Sequence, residues 1–161
     1  MTDQSVTHAT IVVERIYDAP VARVFAALAE PEARARWSVP STDQELVYDE
    51  ADFSVGGHDI YRCGPVGNLM FHGTTRYEDI VPDRRIVSVE TVVHEGTRAS
   101  VSLITVELAP SASPAGSATR LVLTDQIVSF GGADMVAGSE AGFGAALDNL
   151  ALELRREPVN A

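Results

Sequence analysis

The sequence predicts a single α+β domain: a first strand, two short helices, about six further antiparallel strands and one long C-terminal helix lying on the sheet. Three observations carry this. The apolar residues Val21, Val24, Phe25 and Leu28 fall at i, i+3, i+4 and i+7, one face of a helix. From Gln44 to Val128 the chain is a succession of β-branched and aromatic runs separated by turn residues, as consecutive hairpins require. Finally, Phe143, Leu147, Leu150 and Leu154 recur at helical spacing after a glycine-rich passage, and their stripe needs an apolar sheet face to cover.

Taken in order, "TIVVERIY" (residues 10–17) has the composition of a strand. In "DAPVARVFAALAEPEARARW", Pro20 suits a first helical turn, Pro31 breaks the helix, and a short second helix leads to Trp37. The strand runs are "QELVYD", "HDIYRC", "LMFHGTTRYEDI", "RIVSVETVV", "ASVSLITVEL" and "TRLVLTDQIV". Between the last two, "PSASPAGSAT" (residues 110–119) reads as a mobile hairpin loop. The passage "FGGADMVAGSEAGFG" is expected to stay irregular as far as Ser139, the N-cap of the terminal helix, with Glu140 in its first turn and Arg155 and Arg156 near its end. Residues 1–9 are expected to form a flexible N-terminus, 10–157 the domain and 158–161 a C-terminal tail.

Composition narrows the function. A formal charge of −11 repels phosphate backbones and anionic lipid surfaces, and no Lys/Arg cluster offsets it, so neither nucleic acid nor membrane is an expected partner. The first ten residues resemble no targeting signal, and no apolar run approaches a membrane span, so a cytoplasmic location is expected. The lone cysteine, Cys63, cannot form an internal disulfide. His8, His58, His72 and His94 show no close ligand spacing, and no cofactor fingerprint is visible, so no metal or cofactor is expected.

The segment "VGGHDIYRCGP" (residues 55–65) sets His58 five residues before Cys63. On a regular strand an odd separation puts them on opposite faces, roughly 16 Å apart along it, too far for a nucleophile and its base. Asp59, Tyr61 and Cys63 share one face, and the face with Tyr61 is the better ligand wall. Gly56 and Gly57 read as a hairpin turn or bulge rather than a phosphate loop.

The order of elements, with "VERIYDAPVARVFAALAEPEARARW", "VGGHDIYRCGP", "YEDIVPDRRIV", "RASVSLITVEL", "TRLVLTDQ" and "GSEAGFGAALDNL", resembles the START-like (SRPBCC) superfamily with its helix-grip, Bet v 1-like fold. More narrowly it is similar to the branch named for the activator of the heat-shock-protein-90 ATPase. The resemblance implies a curved sheet gripping the C-terminal helix, with a cavity between them that often takes an apolar small molecule. It implies no single activity, since the superfamily holds lipid carriers, hormone receptors, aromatic cyclases and many small bacterial proteins. The eukaryotic co-chaperones of this branch pair the domain with a separate N-terminal domain not found in these 161 residues, so chaperone activation is not expected to follow from the name.

Strand parity then proposes a lining. If Val106 and Leu108 face inward, so do Ser100, Ser102 and Ile104 in the absence of a bulge, and Leu121 and Leu123 carry Asp125 inward. On "RIVSVETVV" the set Ile86, Ser88, Glu90, Val92 suits a pocket wall and the set Val87, Val89, Thr91, Val93 suits a core, and the pattern does not choose between them. The expected ligand-binding residues are Trp37, Tyr61, Met70, His72, Ser102, Asp125 and Phe143, with the glycine-rich passage as a gate. Asp125, Glu90 and His72 are the candidate acid/base residues, because a carboxyl in an apolar cavity resists ionising; Arg98 or Arg62 would be the partners if the carboxylates are merely ion-paired.

The expected function is binding of a small apolar or aromatic molecule. The alternatives are a cofactor-independent cyclase, hydratase or hydrolase, and a chaperone-associated or homodimeric interaction module using Val101 and Leu103 on the face opposite the pocket.

Overall fold

The computed structural model describes residues 5–39, 41–114 and 116–156. Its elements are β1 (Thr7–Tyr17), α1 (Val21–Ala29), α2 (Pro31–Trp37), β2 (Gln44–Ala51), β3 (His58–Pro65), β4 (Phe71–Val81), β5 (Arg85–His94), β6 (Thr97–Ser113), β7 (Gly116–Ser129) and α3 (Gly132–Glu153). The strands form one antiparallel sheet in the order β1-β7-β6-β5-β4-β3-β2, so β2 to β7 make a meander and β1 closes on β7. This is the helix-grip arrangement expected from the sequence.

The helices lie on one face of the sheet because the apolar sets meet there. Val24 and Leu28 of α1 are buried, as are Leu147 and Leu150 of α3, against Ile11 and Val13 of β1 and Leu121 and Leu123 of β7. Each such fully buried leucine contributes about 2 kcal/mol of transfer free energy. Polar ties also hold the helices: the Tyr17 hydroxyl donates to the Leu147 carbonyl within α3 at 2.7 Å, and Arg36 of α2 makes a two-pronged contact with Glu153 at the end of α3 at 3.0 and 2.5 Å. That pairing with Arg36 holds the Glu153 carboxyl below its ordinary pKa.

Three boundaries differ from the sequence reading. β1 begins at Thr7, which pairs with Ser129, so part of the expected N-terminal arm belongs to the sheet; the expected tail, 158–161, lies outside the described residues. The "PSASPAGSAT" segment is not a loop, since pairing of β6 with β7 continues through Pro110↔Thr119 out to Ser113↔Gly116. A two-stranded ribbon tolerates these small residues because its backbone ladder, not side-chain packing, holds it.

The third concerns the terminal helix. It starts at Gly132, so Ser139 is an interior residue and not the N-cap, and the glycine-rich passage is helical. Each interior glycine costs about 1 kcal/mol relative to alanine. The helix forms regardless because its C-terminal half, with Ala146, Leu147, Leu150 and Glu153 buried, is firmly packed and propagates backward.

Candidate ligand cavity

Between the sheet and α3 lies a cavity of about 520 Å3, within the size range of small-molecule sites. Its floor comes from the inward faces of β2 to β7, its roof from Met135, Ser139 and Phe143 of α3, and one end wall from Leu28, Arg34 and Trp37. The lining is mostly apolar, with a few polar groups on strands.

Parity accounts for most of this floor. Asp59, Tyr61 and Cys63 of β3 face inward together, while His58 and Arg62 point outward, His58 to hydrogen-bond Glu50 and Arg62 to ion-pair with Asp49. On β5 the inward set is Ile86, Ser88, Glu90 and Val92, the question the sequence leaves open. On β6 and β7, Ser100, Ser102, Ile104, Leu123 and Asp125 line the cavity as expected. A register shift opposite Val92/Val93 adds Ala99 beside Ser100.

Of the seven expected ligand-binding positions, Trp37, Tyr61, Ser102, Asp125 and Phe143 line this cavity. His72 does not. It is an exposed residue opposite Arg62 and Val93, on the outward parity of β4, while Phe71, Thr75 and Tyr77 take the inward one. It is therefore also removed from the acid/base candidates. Met70 precedes β4 and sits outside the lining, its Sδ 3.2 Å from His94 Nε2.

Two polar clusters organise the interior. At the α2 end, Asp59 accepts hydrogen bonds from Arg34 Nη2 at 2.9 Å, from the Tyr77 hydroxyl at 2.5 Å and from the Asp52 backbone N–H at 3.1 Å. Arg34 also donates to the Tyr48 hydroxyl and to the carbonyls of Leu28 and Ala29, and its guanidinium lies over the Tyr48 ring. Every charge in this cluster is matched, which is what lets Arg34 be buried in a helix facing a sheet. The sequence reading missed Arg34; the signal was a basic residue three positions before Trp37, on the same side of the short second helix.

The central cluster is built differently. The Tyr61 hydroxyl on β3 donates to Glu90 Oε2 on β5 at 2.9 Å, reaching across β4. It can do so because Gly73 stands opposite Tyr61: a Cβ there would lie 2.0 Å from Tyr61 Cζ. Glycine inside a strand is the sequence mark of such a close approach, and Gly73 was the clue overlooked in "FHGTTRYEDI". Burial pushes the Glu90 carboxyl above its ordinary pKa; the hydroxyls of Tyr61 and Thr75 pull against this and the charge of Asp125 adds to it. Burial, then Glu90, pushes the Cys63 thiol up to about 11, so it is an unreactive thiol at neutral pH.

Asp125 completes the group from β7. Its side chain is 1% exposed, and among the described residues its Oδ1 has no hydrogen-bond partner. Burial raises its pKa, against the opposing pull of the Ser102 hydroxyl. Neither Asp125 nor Glu90 pairs with an arginine: Arg62 is engaged with Asp49, and Arg98 is exposed and outside the lining. Among the described residues no three His, Cys, Asp or Glu side chains converge as a metal-ligand set, and no helix is long and apolar enough to cross a membrane. On the sheet's other face Leu103 is exposed and Val101 half-buried, with Val12 and Ile16 of β1 also exposed.

Comparison with known proteins agrees with this geometry. A Rhizobium leguminosarum structure is 39% identical with a TM-score of 0.82, covering 97% of this chain and 100% of that one. A Rhizobium loti structure is 37% identical with a TM-score of 0.79, covering 92% and 99%. An Arthrobacter aurescens structure, 22% identical with a TM-score of 0.78 over 97% of this chain and 93% of that one, shares the fold. A search of curated proteins found no match. Residues 18–155 match the profile described as activator of Hsp90 ATPase homologue 1-like protein, and the chain belongs to that family.

Proposed function

We propose that this protein binds a small, largely apolar molecule between its sheet and its terminal helix. The observation that carries this reading is the cavity itself: about 520 Å3 bounded by apolar side chains from most of the elements, which a domain built only for stability would fill. The few polar groups sit where they would orient a ligand rather than solvate the space, with Glu90, Ser102 and Asp125 on the adjoining strands β5, β6 and β7 and Tyr61 reaching them from β3.

The test is a ligand-observed NMR screen of apolar and aromatic fragments against the wild-type chain and Gly142→Phe. Gly142 lines the cavity from α3 with nothing within 4 Å of the position its Cβ would take, so a phenylalanine side chain can start into the space a ligand would need. Fragments are expected to bind the wild type and lose at least tenfold in affinity against the variant. Equal binding to both, or no binding to either, overturns the reading.

The Tyr61–Glu90 hydrogen bond beside Asp125 favours one second reading, a cofactor-independent proton transfer on a bound polyketide-like or aromatic substrate. Here Glu90→Gln and Asp125→Asn would each abolish turnover while His72→Ala, on the outward face, would not. Turnover that survives both carboxyl substitutions excludes it.

A further inference from the structure

The cavity reading leaves open what kind of molecule enters, and the charges of the lining narrow it. Resting on that reading, we propose that the cavity selects apolar molecules carrying a protonated amine, with Asp125 and Glu90 as the anionic partners of the ammonium group.

The argument starts from charge balance. The lining contains the carboxyl groups of Asp59, Glu90 and Asp125 but a single cation, Arg34. Arg34 is already committed, through its bond to Asp59 and its contacts with Tyr48 and two backbone carbonyls. The other titratable groups facing the central carboxyls are Tyr48 of β2, Tyr61 and Cys63 of β3 and Tyr77 of β4, all neutral at physiological pH. The α3 roof supplies Met135, Ser139 and Phe143, none of which carries charge. Glu90 and Asp125 therefore share the cavity wall with a few hydroxyls but with no cation of their own.

A buried carboxylate in that position either keeps its proton or acquires a positive partner. Asp125 lines the cavity, and its buried Oδ1 has no donor among the described residues. An ammonium supplies three donors and a full charge, whereas a hydroxyl supplies one donor and no charge. A carboxylate ligand would be repelled. The surrounding rings of Trp37 and Phe143 suit the apolar part of such a molecule and do not oppose its charge.

Three probes of one shape separate these cases: 2-naphthylmethylamine, 2-naphthylmethanol and 2-naphthoate, titrated calorimetrically into the full chain. At neutral pH the amine is expected to bind at least about tenfold more tightly than the alcohol, and the naphthoate weakest. Asp125→Asn, a nearly isosteric change that removes a buried charge, is expected to cost the amine about tenfold and to leave the alcohol within about threefold; circular dichroism verifies that the variant folds, and Glu90→Gln gives the same pattern independently. Amine affinity should rise as pH increases from the ordinary carboxyl range, about 4, towards neutrality, because the ammonium favours the ionised carboxyls and must displace any proton they hold; alcohol affinity should not. An amine that binds no better than the alcohol, or is insensitive to both substitutions, overturns the charge inference and leaves the cavity reading standing. Failure of all three probes on the wild type overturns both.

Discussion

Asp59 and Asp125 are the same side chain, buried to nearly the same degree at 2% and 1% exposure, in the wall of one cavity, yet they are treated in opposite ways. Asp59 has an arginine, a tyrosine hydroxyl and a backbone N–H aimed at it; Asp125 has an oxygen with no donor among the described residues. Complete pairing is how a fold neutralises an unavoidable interior charge, and it joins α2 to the sheet. Incomplete pairing does nothing for the fold. On the binding reading, a polar group left in that state is free to serve what the cavity receives, or chemistry performed there.

Breaking the paired site should have the largest effect. Arg34→Met leaves Asp59 as a buried carboxylate without its cation and is expected to lower unfolding free energy by about 3–5 kcal/mol, read from urea denaturation. Gly73→Ala should cost about 1–3 kcal/mol, because Tyr61 must swing off β4 and release Glu90; a crystal structure of the variant would show the ring displaced. A variant of full stability with Tyr61 unmoved would contradict the close approach described here.

The orphaned site should respond with the opposite sign. Burial raises the folded-state pKa of Asp125 above its unfolded value, so the wild type has its full stability below the ordinary aspartate pKa, about 4, and loses it as pH rises through the raised value. Asp125→Asn removes that loss. It is expected to stabilise the apo protein by about 1 kcal/mol at neutral pH and to make no difference near pH 3, as thermal melts across that range would show. The smallest effect is expected at Gly142→Ala, which fills open space and improves helix propensity, raising stability by up to about 1 kcal/mol.

Much of this was legible from alternation alone. Once Leu121 and Leu123 face inward, Asp125 must follow, and Tyr61 goes with Asp59 and Cys63 for the same reason. The two faces of β5 were not separable, because the inward set mixes Ile86 and Val92 with Ser88 and Glu90 while the sheet's outer face is itself rich in valine. His72 was misplaced because Gly73 conceals the parity of β4; the outward positions of Arg76 and Glu78, in step with it, were the better guide. The start of α3 was illegible since glycine signals loop by intrinsic preference, and only the packed far end of the helix overrides it. Arg34 required three dimensions, for its partner Asp59 is 25 residues away on another element.

The division of α3 has a kinetic corollary. All its fully buried residues lie from Ala146 onward, whereas Gly132, Gly138, Gly142 and Gly144 occupy the turns before them. Those first turns form a sub-global opening unit whose free energy is set by helix propensity and a few half-buried contacts, while the remainder of the helix opens only with the whole domain. On the binding reading, the dwell time of a guest is then adjustable by single substitutions in the roof that leave the melting temperature of the sheet almost untouched.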